Sequence, residues 1–280
     1  MQSHSNGGLG PQAPAGIGAE SRLFAVLRDI LAAHIAVSGG VDSLTLAEAA
    51  HRTLGPAARM HHAVSPAVPP EATARTRALA ASRGWDLTVF DAGEFADPRY
   101  RANPVDRCFW CKTSLYGTLA SFAASHGGGV VLSGTNTDDL QDIRPGLTAA
   151  AQHGVRHPFV EAGIDKATVR QLAASFGLGE VAELPASPCL SSRIETGIRV
   201  EPDMLALVHR VERHVATALA PRVVRCRVRA AGVVVELDAV ALATLGNQRE
   251  KLSAELLALT GRQVSFAAYR IGSAFLRTPA

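Results

Sequence analysis

Short apolar runs alternate with helical patterns through the first two thirds of the chain. Apolar, β-favouring runs predict strands at residues 34–37, 60–64, 87–90 and 130–132. Apolar residues at helical spacing predict helices at residues 44–55, 69–84, 109–126, 145–153 and 165–176. Strands that alternate with helices pair in parallel, and right-handed crossovers cover both faces of the sheet. The pattern therefore predicts an α/β fold built on a parallel sheet.

The pattern changes beyond about residue 197. Helices and strands are predicted there at residues 201–219, 223–228, 233–237, 240–259 and 264–269. The first two strands alternate apolar and polar positions around a turn at Gly232, which is typical of a hairpin. We therefore predict a disordered tail at residues 1–19, a main domain at 20–196, and a small α+β domain at 197–280 that serves substrate binding or oligomerisation.

Composition narrows the class of protein. With 280 residues, of which 47% are hydrophobic, the chain is long enough for two cores. The net charge of +3 disfavours extended nucleic-acid binding, and no apolar run approaches the roughly 20 residues of a membrane span. Residues 1–19 lack the apolar core of a secretory signal, and four cysteines in so long a chain do not suggest a disulfide framework. We expect a cytoplasmic protein with reduced thiols.

A glycine loop lies between the first predicted strand and its helix, with the sequence Ser-Gly-Gly-Val-Asp-Ser at residues 38–43. Backbone amides at a helix N-terminus bind phosphate, and Gly39 and Gly40 remove the Cβ atoms that would block its approach. The loop lacks the Gly-Lys-Ser/Thr ending that serves transfer of a γ-phosphate. Candidate nucleotide ligands in the loop are Ser38, Gly39, Gly40, Asp42 and Ser43.

A second polar loop follows the fourth predicted strand, with the sequence Ser-Gly-Thr-Asn-Thr-Asp-Asp at residues 133–139. Ligands of open α/β sheets bind at the carboxyl ends of the strands, where both loops would meet. Gly134, Asn136 and Asp138 are therefore further nucleotide candidates, and the loop carboxylates suit Mg²⁺.

Three cysteines form a possible metal or sulfur centre. Cys108 and Cys111 lie one helical turn apart at a predicted helix start, so both can face one centre. Cys189 lies in a turn-rich segment at residues 185–193. Three thiols suit either a zinc site with a fourth ligand or an iron–sulfur cluster with one open iron. Cys226 is interpreted as a packing residue.

Four motifs in this order carry a resemblance to a known family. They are residues 38–43, Asn-Pro-x-Asp-Arg-Cys-x-x-Cys-Lys at 103–112, Gly-Thr-Asn-x-Asp-Asp-x-x-Asp-x-Arg-Pro-Gly at 134–146, and Ser-Pro-Cys-Leu-Ser-Ser-Arg at 187–193. The first resembles the PP-loop of ATP pyrophosphatases, whose fold is adenine nucleotide alpha hydrolase-like. The whole set, from about residue 22 to 277, resembles the LarE family of ATP-dependent sulfur transferases in nickel-pincer cofactor biosynthesis.

The resemblance implies a reaction. ATP with Mg²⁺ would adenylate a carboxylate of a nicotinate-derived mononucleotide, releasing pyrophosphate, and sulfur would then replace AMP to give a thiocarboxylate. Some family members sacrifice the sulfur of the cysteine that matches Cys189. Others hold a [4Fe-4S] cluster on three cysteines that match Cys108, Cys111 and Cys189, with an extra sulfide on the open iron. Because all three cysteines are present, we expect the cluster, recharged by a sulfide donor.

The resemblance also implies roles for charged residues. Arginines expected to bind the substrate phosphate are Arg225, Arg227 and Arg270; the first two alternate along one strand and so share a face. Glu212 and Glu236 match acidic positions that bind a divalent metal, although no third such position is evident after Glu236. Lys112 and Arg193 lie in the matched motifs and are expected to neutralise the acyl-adenylate or its leaving group.

Three other functions are compatible with parts of the sequence. A PP-loop tRNA thiolase would need an extended basic surface, and none is apparent. An amide-forming adenylating ligase leaves the cysteines unexplained, and a non-catalytic nucleotide sensor leaves the motif set unused. We expect an enzyme that forms homo-oligomers, with no membrane or nucleic-acid partner.

Overall fold

A four-stranded parallel sheet forms the first part of the molecule. The computed structural model describes residues 18–140, 145–186 and 188–273. The strands are β1 (Ala33–Ala36), β2 (Ala58–Ala63), β3 (Asp86–Phe90) and β4 (Val130–Ser133). Their spatial order is β3-β2-β1-β4, and every neighbouring pair is parallel. The predicted α/β class is confirmed, because the runs that sequence patterning marked as strands pair in this way.

Helices cover this sheet and bury its apolar residues. They are α1 (Ala19–Arg28), α2 (Val41–Leu54), α3 (Pro70–Arg83), α4 (Pro98–Arg101), α5 (Arg107–Ser125), α6 (Pro145–Gln152), α7 (Pro158–Glu161) and α8 (Lys166–Ser175). The helix α1 was not predicted. It packs on α2 and buries Leu23 and Leu27 completely, so it belongs to the core although it adjoins the expected tail. Residues 1–17 lie outside the described part.

The strand order creates a switch point between β1 and β4. From β1 the chain proceeds through α2 to β2 on one side, whereas β4 joins β1 on the other side. Loops at the carboxyl ends of two such strands diverge and leave a crevice, which is where open α/β sheets bind ligands. The glycine loop follows β1 and the acidic loop follows β4, so the topology brings these two predicted segments to one edge.

A second, three-stranded sheet follows. Its strands are β5 (Val224–Arg229), β6 (Gly232–Leu237) and β7 (Val264–Ala268). The helices of this part of the chain are α9 (Pro202–Leu219), α10 (Ala239–Thr244) and α11 (Arg249–Thr260). The hairpin β5–β6 is antiparallel and β7 joins β6 in parallel. The single helix predicted at residues 240–259 is wrong, because a tight 3-10 turn at Gly246–Gln248 separates α10 from α11. The break lets Leu245 and Leu252 both face the core.

The two faces of this second sheet differ in chemistry. One face packs Cys226, Val228 and Val235 against α9 in an apolar core. That core also takes in Ala67 and Leu190 from the first two thirds of the chain. The other face carries arginines and a buried glutamate, and it lies against the turn that follows Cys189. The hydrophobic core therefore joins the second sheet to the segment that carries the third thiol.

Candidate active site

The shape of the glycine loop is fixed by contacts within the chain. Gly39 has a φ of +81°, and a Cβ atom there would lie 2.8 Å from the carbonyl oxygen of Ala72. The Ser38 N–H donates to Ser43 Oγ over 3.0 Å, and the Ser43 hydroxyl donates to the Gly40 carbonyl over 3.1 Å. These bonds close the loop across the start of α2, so its amides are fixed at the helix N-terminus.

The acidic loop packs directly on the glycine loop. A Cβ atom at Gly134 would lie 2.9 Å from the Ser43 nitrogen, so only glycine permits this approach. Asn136 Nδ2 donates to Asp42 Oδ1 over 3.1 Å, and Asn136 Oδ1 accepts the Asp138 N–H over 3.0 Å. Five residues predicted separately in two loops therefore form one connected edge.

Lys166 completes this edge and was not predicted. Its ammonium group donates to Asp42 Oδ2, and its backbone N–H donates to Asp138 Oδ2 over 3.3 Å. The lysine begins α8, whose N-cap Asp165 accepts the Thr168 N–H. Nothing in the local sequence marks it, because its partner lies on a different strand-to-helix turn. The edge thus holds a cation beside the two loops.

Part of the third motif lies outside the described residues. This part is residues 141–144, which include Asp142 and Arg144. The motif resumes at Pro145, the first residue of α6, and Gly146 follows. A Cβ atom at Gly146 would lie 3.2 Å from Lys112 Cγ, so this glycine lets α6 approach the start of α5 closely. The motif therefore connects the nucleotide edge to the helix that carries two of the cysteines.

The three cysteines lie within electrostatic reach of one another. Burial raises the pKa of Cys111 to about 12, Lys112 lowers it, and the negative charges of Cys189 and Cys108 raise it further. Burial likewise raises the pKa of Cys108, with Cys189 as the next cause. All three side chains are half-buried and reduced. The structure thus brings together thiols that are far apart in sequence; Lys112 is the positive charge that they share.

The donor set consists of three thiols, the ligand type that iron–sulfur clusters take. Among the described residues, no three His, Cys, Asp or Glu side chains are close enough to hold one metal ion. A single zinc at the three thiols, left open by the sequence, therefore receives no support. Iron–sulfur clusters take each cysteine on a separate iron, so their ligands need not converge on one point. Three soft thiols beside the Lys112 ammonium match that requirement.

Arg193 lies below the Cys189 turn with all of its nitrogen atoms engaged. Its guanidinium, 2% exposed, bonds both oxygens of Glu212 at 2.9 and 3.1 Å. It also donates to the carbonyls of Pro188 and Cys189 at 2.6 and 3.2 Å. We predicted that this residue neutralises the acyl-adenylate. The observed bonds show that Arg193 holds the cysteine turn, and its role at the acyl-adenylate stays a prediction.

The polar face of the second sheet concentrates positive charge. Arg227 donates to Glu236 over 2.9 Å and to the Ser192 carbonyl over 3.0 Å, and Arg229 donates to the other Glu236 oxygen. Arg225 donates to the carbonyls of Val224 and Ala186; no carboxylate of the described residues pairs with it. Burial lowers the pKa of Arg225, and the neighbouring Arg193 lowers it further. This is an environment that favours a bound anion.

The two glutamates predicted to bind a divalent metal are paired with arginines. Both oxygens of Glu212 bond Arg193, and both oxygens of Glu236 accept from arginines. The metal-binding role predicted for these two glutamates stays a prediction. The backbone carbonyl of Arg270 accepts from Arg227 over 3.5 Å, which places this predicted residue beside the same face.

His157 links the two parts of the site and was not predicted. Burial lowers the pKa of its imidazole, a hydrogen bond that the ring donates to the Ser133 backbone raises it, and the charges of Lys112 and Asp139 act on it in opposite directions. Its Nδ1 atom is buried with no hydrogen-bond partner in the described residues. The ring is therefore bonded to the end of β4 and lies within electrostatic range of Lys112. A histidine before a proline gives no sequence signal of that kind.

The fold and the edge of the sheet define the class of protein. A parallel sheet with a glycine loop and an acidic loop at its switch point is the arrangement of PP-loop α/β proteins. No membrane-spanning helix is found in the ranges that the structure describes. No protein-family model matches the chain.

Similarity to known proteins gives the family. The chain is 30% identical over 205 residues to the pyridinium-3,5-bisthiocarboxylic acid mononucleotide synthase of Lactiplantibacillus plantarum, a LarE protein; the match covers 73% of this chain and 74% of that protein. It is 42% identical over 178 residues to an uncharacterized protein of Synechocystis sp., covering 64% of this chain and 66% of the relative. The chain therefore belongs to the LarE family.

Proposed function

We propose that this protein is an ATP-dependent sulfurtransferase that adenylates a carboxylate of a nicotinate-derived mononucleotide and replaces AMP with sulfur. The product is a thiocarboxylate for nickel-pincer cofactor biosynthesis. The name of the Lactiplantibacillus plantarum relative, a synthase of a bisthiocarboxylic acid mononucleotide, supports this reaction. The observation that carries the proposal is the group of three thiols with Lys112, whose charge also acts on His157, a residue hydrogen-bonded to Ser133 at the end of β4.

The glycine and acidic loops serve adenylation. The amides of residues 38–43 at the start of α2 hold the leaving pyrophosphate, aided by the positive end of the helix. Asp42 and Asp138 supply the carboxylate oxygens that Mg²⁺ prefers. Lys166 neutralises Asp42 and would supply a positive charge to the phosphates of ATP if Asp42 bound Mg²⁺.

The thiol group serves sulfur transfer. Cys108, Cys111 and Cys189 hold the [4Fe-4S] cluster, which when bound supplies the sulfur that enters the substrate. Burial raises the pKa of Cys108 and Cys111, and the charge of Lys112 opposes that rise and so favours the thiolate forms that ligate metal. Its positive charge also stabilises the negative charge that develops on the acyl-adenylate.

The arginine face binds the substrate phosphate. Four arginines and two paired carboxylates lie there, so the face keeps an excess of positive charge. Arg225 is half-exposed and lacks a carboxylate partner in the described part, and Arg227 is held beside it by Glu236. A phosphate dianion at Arg225 would restore the charge balance and accept bidentate bonds.

Separating the two half-reactions tests this proposal. Cys189→Ala should abolish thiocarboxylate formation while pyrophosphate release from ATP and the carboxylate substrate continues. Cys226→Ala is the matched control, because Cys226 lies in the apolar core, and it should retain both activities. Loss of pyrophosphate release in Cys189→Ala alone would show that adenylation depends on the thiol and would refute the division of the site.

A second variant distinguishes the two sulfur routes. Cys108→Ser should abolish repeated turnover if the three thiols act together. Normal transfer by Cys108→Ser, accompanied by dehydroalanine at position 189, would leave only the sacrificial route. Mass spectrometry of the spent protein measures that outcome directly.

A further inference from the structure

A buried hydrogen bond joins the two segments that carry the thiols. The Tyr100 hydroxyl lies 2.7 Å from Ser191 Oγ, and both residues are at most 1% exposed. Tyr100 belongs to α4, which leads directly into α5 with Cys108 and Cys111. Ser191 lies in the turn Leu190–Arg193 that follows Cys189. The bond therefore crosses between the helix side and the loop side of the thiol group.

The tyrosine also lies next to the thiols themselves. The charge of Cys189, and to a lesser degree that of Cys111, acts on the Tyr100 hydroxyl. The ring contacts Phe95 edge to face, with centroids 5.2 Å apart, and Phe95 and Cys189 pack against the same apolar core. Tyr100 is thus held by its ring, while its hydroxyl is free to serve one partner.

Within the described residues, the other hydrogen bonds of the Cys189 turn run to segments other than α5. Arg193 holds the carbonyls of Pro188 and Cys189, and the Leu190 N–H donates to the Ala67 carbonyl over 2.8 Å. These contacts fix the turn to α9 and to the end of β2. They leave its position relative to α5 to be set by other contacts.

A second link, further from Cys189, keeps the frame folded. Asn103 Nδ2 donates to the carbonyls of Glu195 and Ile198 at 2.8 and 2.9 Å, and Arg107 donates to Asn103 Oδ1. Asn103 has a φ of +56° and is completely buried. Removing the Tyr100 hydroxyl therefore leaves the two segments joined, and only the end near Cys189 loses its tie.

We propose that Tyr100 is a positioning residue of the thiol centre: through Ser191 its hydroxyl holds Cys189 beside Cys108 and Cys111. The inference rests on the proposed function, in which the three thiols act as one centre. Tyr100→Phe removes the bond and leaves the Ser191 hydroxyl buried without a partner, which favours displacement of the turn. The effective concentration of the Cys189 sulfur near the other two falls by about tenfold.

The test measures thiol proximity in the full chain, without substrate or metal. Reduced, metal-free protein is treated briefly with diamide, and disulfide-linked peptides are quantified by mass spectrometry. The readout is the ratio of links between Cys189 and Cys108 or Cys111 to links between Cys108 and Cys111. The second kind of link lies within α5 and serves as an internal reference, because general destabilisation changes both kinds together.

Tyr100→Phe and Ser191→Ala should each lower this ratio by about tenfold, since each removes the same bond. Thr76→Val deletes another buried hydroxyl, whose bond stays within α3, and should leave the ratio unchanged. Equal ratios in the wild type and Tyr100→Phe would overturn the proposal. A drop in Tyr100→Phe without one in Ser191→Ala would also overturn it, because the effect would not come from their bond.

The outcome is separable from that of the proposed function. If Tyr100→Phe lowers the link ratio but the wild-type protein makes no thiocarboxylate, the sulfurtransferase reaction is refuted and the positioning role is supported. A wild-type protein that forms no long-range link at all would refute the positioning role, because there would be no proximity to maintain.

Discussion

The nucleotide edge and the thiol centre are built in different ways. At the edge, residues 38–43 and 133–139 are short, local loops whose shape follows from glycines and from bonds within a few positions. At the centre, three cysteines from two distant segments are held by buried side chains such as Arg193, Tyr100 and Asn103. The edge is a property of sequence motifs, whereas the centre is a property of the tertiary fold. Substitutions should therefore affect the two regions differently.

The largest expected effect concerns the support of the centre. Glu212→Ala leaves the Arg193 guanidinium buried without its carboxylate and the Cys226 N–H without its acceptor. We expect a loss of about 3–5 kcal/mol in the free energy of unfolding, because an unpaired buried charge is costly. Urea denaturation measures it.

The control for that loss is Glu255→Ala. Glu255 pairs with His214 on the surface, where ion pairs contribute about 0–1 kcal/mol. If both variants lost equal stability, the buried Arg193–Glu212 pair would not be the support that we describe.

The edge should instead fail in binding. Gly39→Ala places a Cβ atom against Ala72 and forces alanine into a left-handed conformation. We expect ATP affinity to fall by about a hundredfold or more, because the amides no longer face the phosphates. Isothermal titration with ATP and Mg²⁺ measures it. Gly84→Ala, with a positive φ but open space around it, separates backbone strain from loss of the loop.

A smaller effect is expected at Lys166. Lys166→Met removes the cation that neutralises Asp42 and, in our account, later contacts the phosphates. Pyrophosphate release should fall by about tenfold, while the diamide link ratio at the thiols stays unchanged. Unchanged pyrophosphate release would remove Lys166 from the nucleotide edge.

The smallest effect concerns the sheet beneath the edge. His34 Nδ1 lies 2.9 Å from His61 Nε2 in the buried interior, and burial, with the charge of His34 as the next cause, lowers the pKa of His61 to about 4. Between these two pKa values, His61 binds a proton in the unfolded chain but not in the folded chain. This contribution to stability is complete above about pH 6.5 and is lost as the pH falls towards 4, by at most about 1.4 kcal/mol per pH unit. His61→Phe should flatten the slope of unfolding free energy against pH over this window.

Sequence patterning predicted most of the first sheet because its strands are short apolar runs bounded by glycine turns. It also found the residues of the edge, since Gly39, Gly134 and Asn136 lie in motifs that each resemble a known loop. It missed α1, which begins beside a tail of unpatterned residues, and it merged α10 with α11, because Leu245 and Leu252 continue an apolar spacing across the 3-10 turn.

The missed site residues share a physical cause. Lys166, His157 and Tyr100 act through partners on distant segments, and local sequence carries no information about such pairing. The roles of Arg193, Glu212 and Glu236 stay predictions for the same reason. The resemblance suggested ligand-binding roles, and the folded chain pairs Arg193 with Glu212 and Glu236 with Arg227.

The most direct test of the central claim is iron and sulfide analysis after anaerobic reconstitution, with an absorption spectrum of each sample. We predict about four irons per chain in the wild type, and loss of the cluster absorption when Cys108, Cys111 or Cys189 is replaced individually. A Cys189→Ala protein that retained the full iron content and spectrum would contradict the claim that the three thiols form one centre.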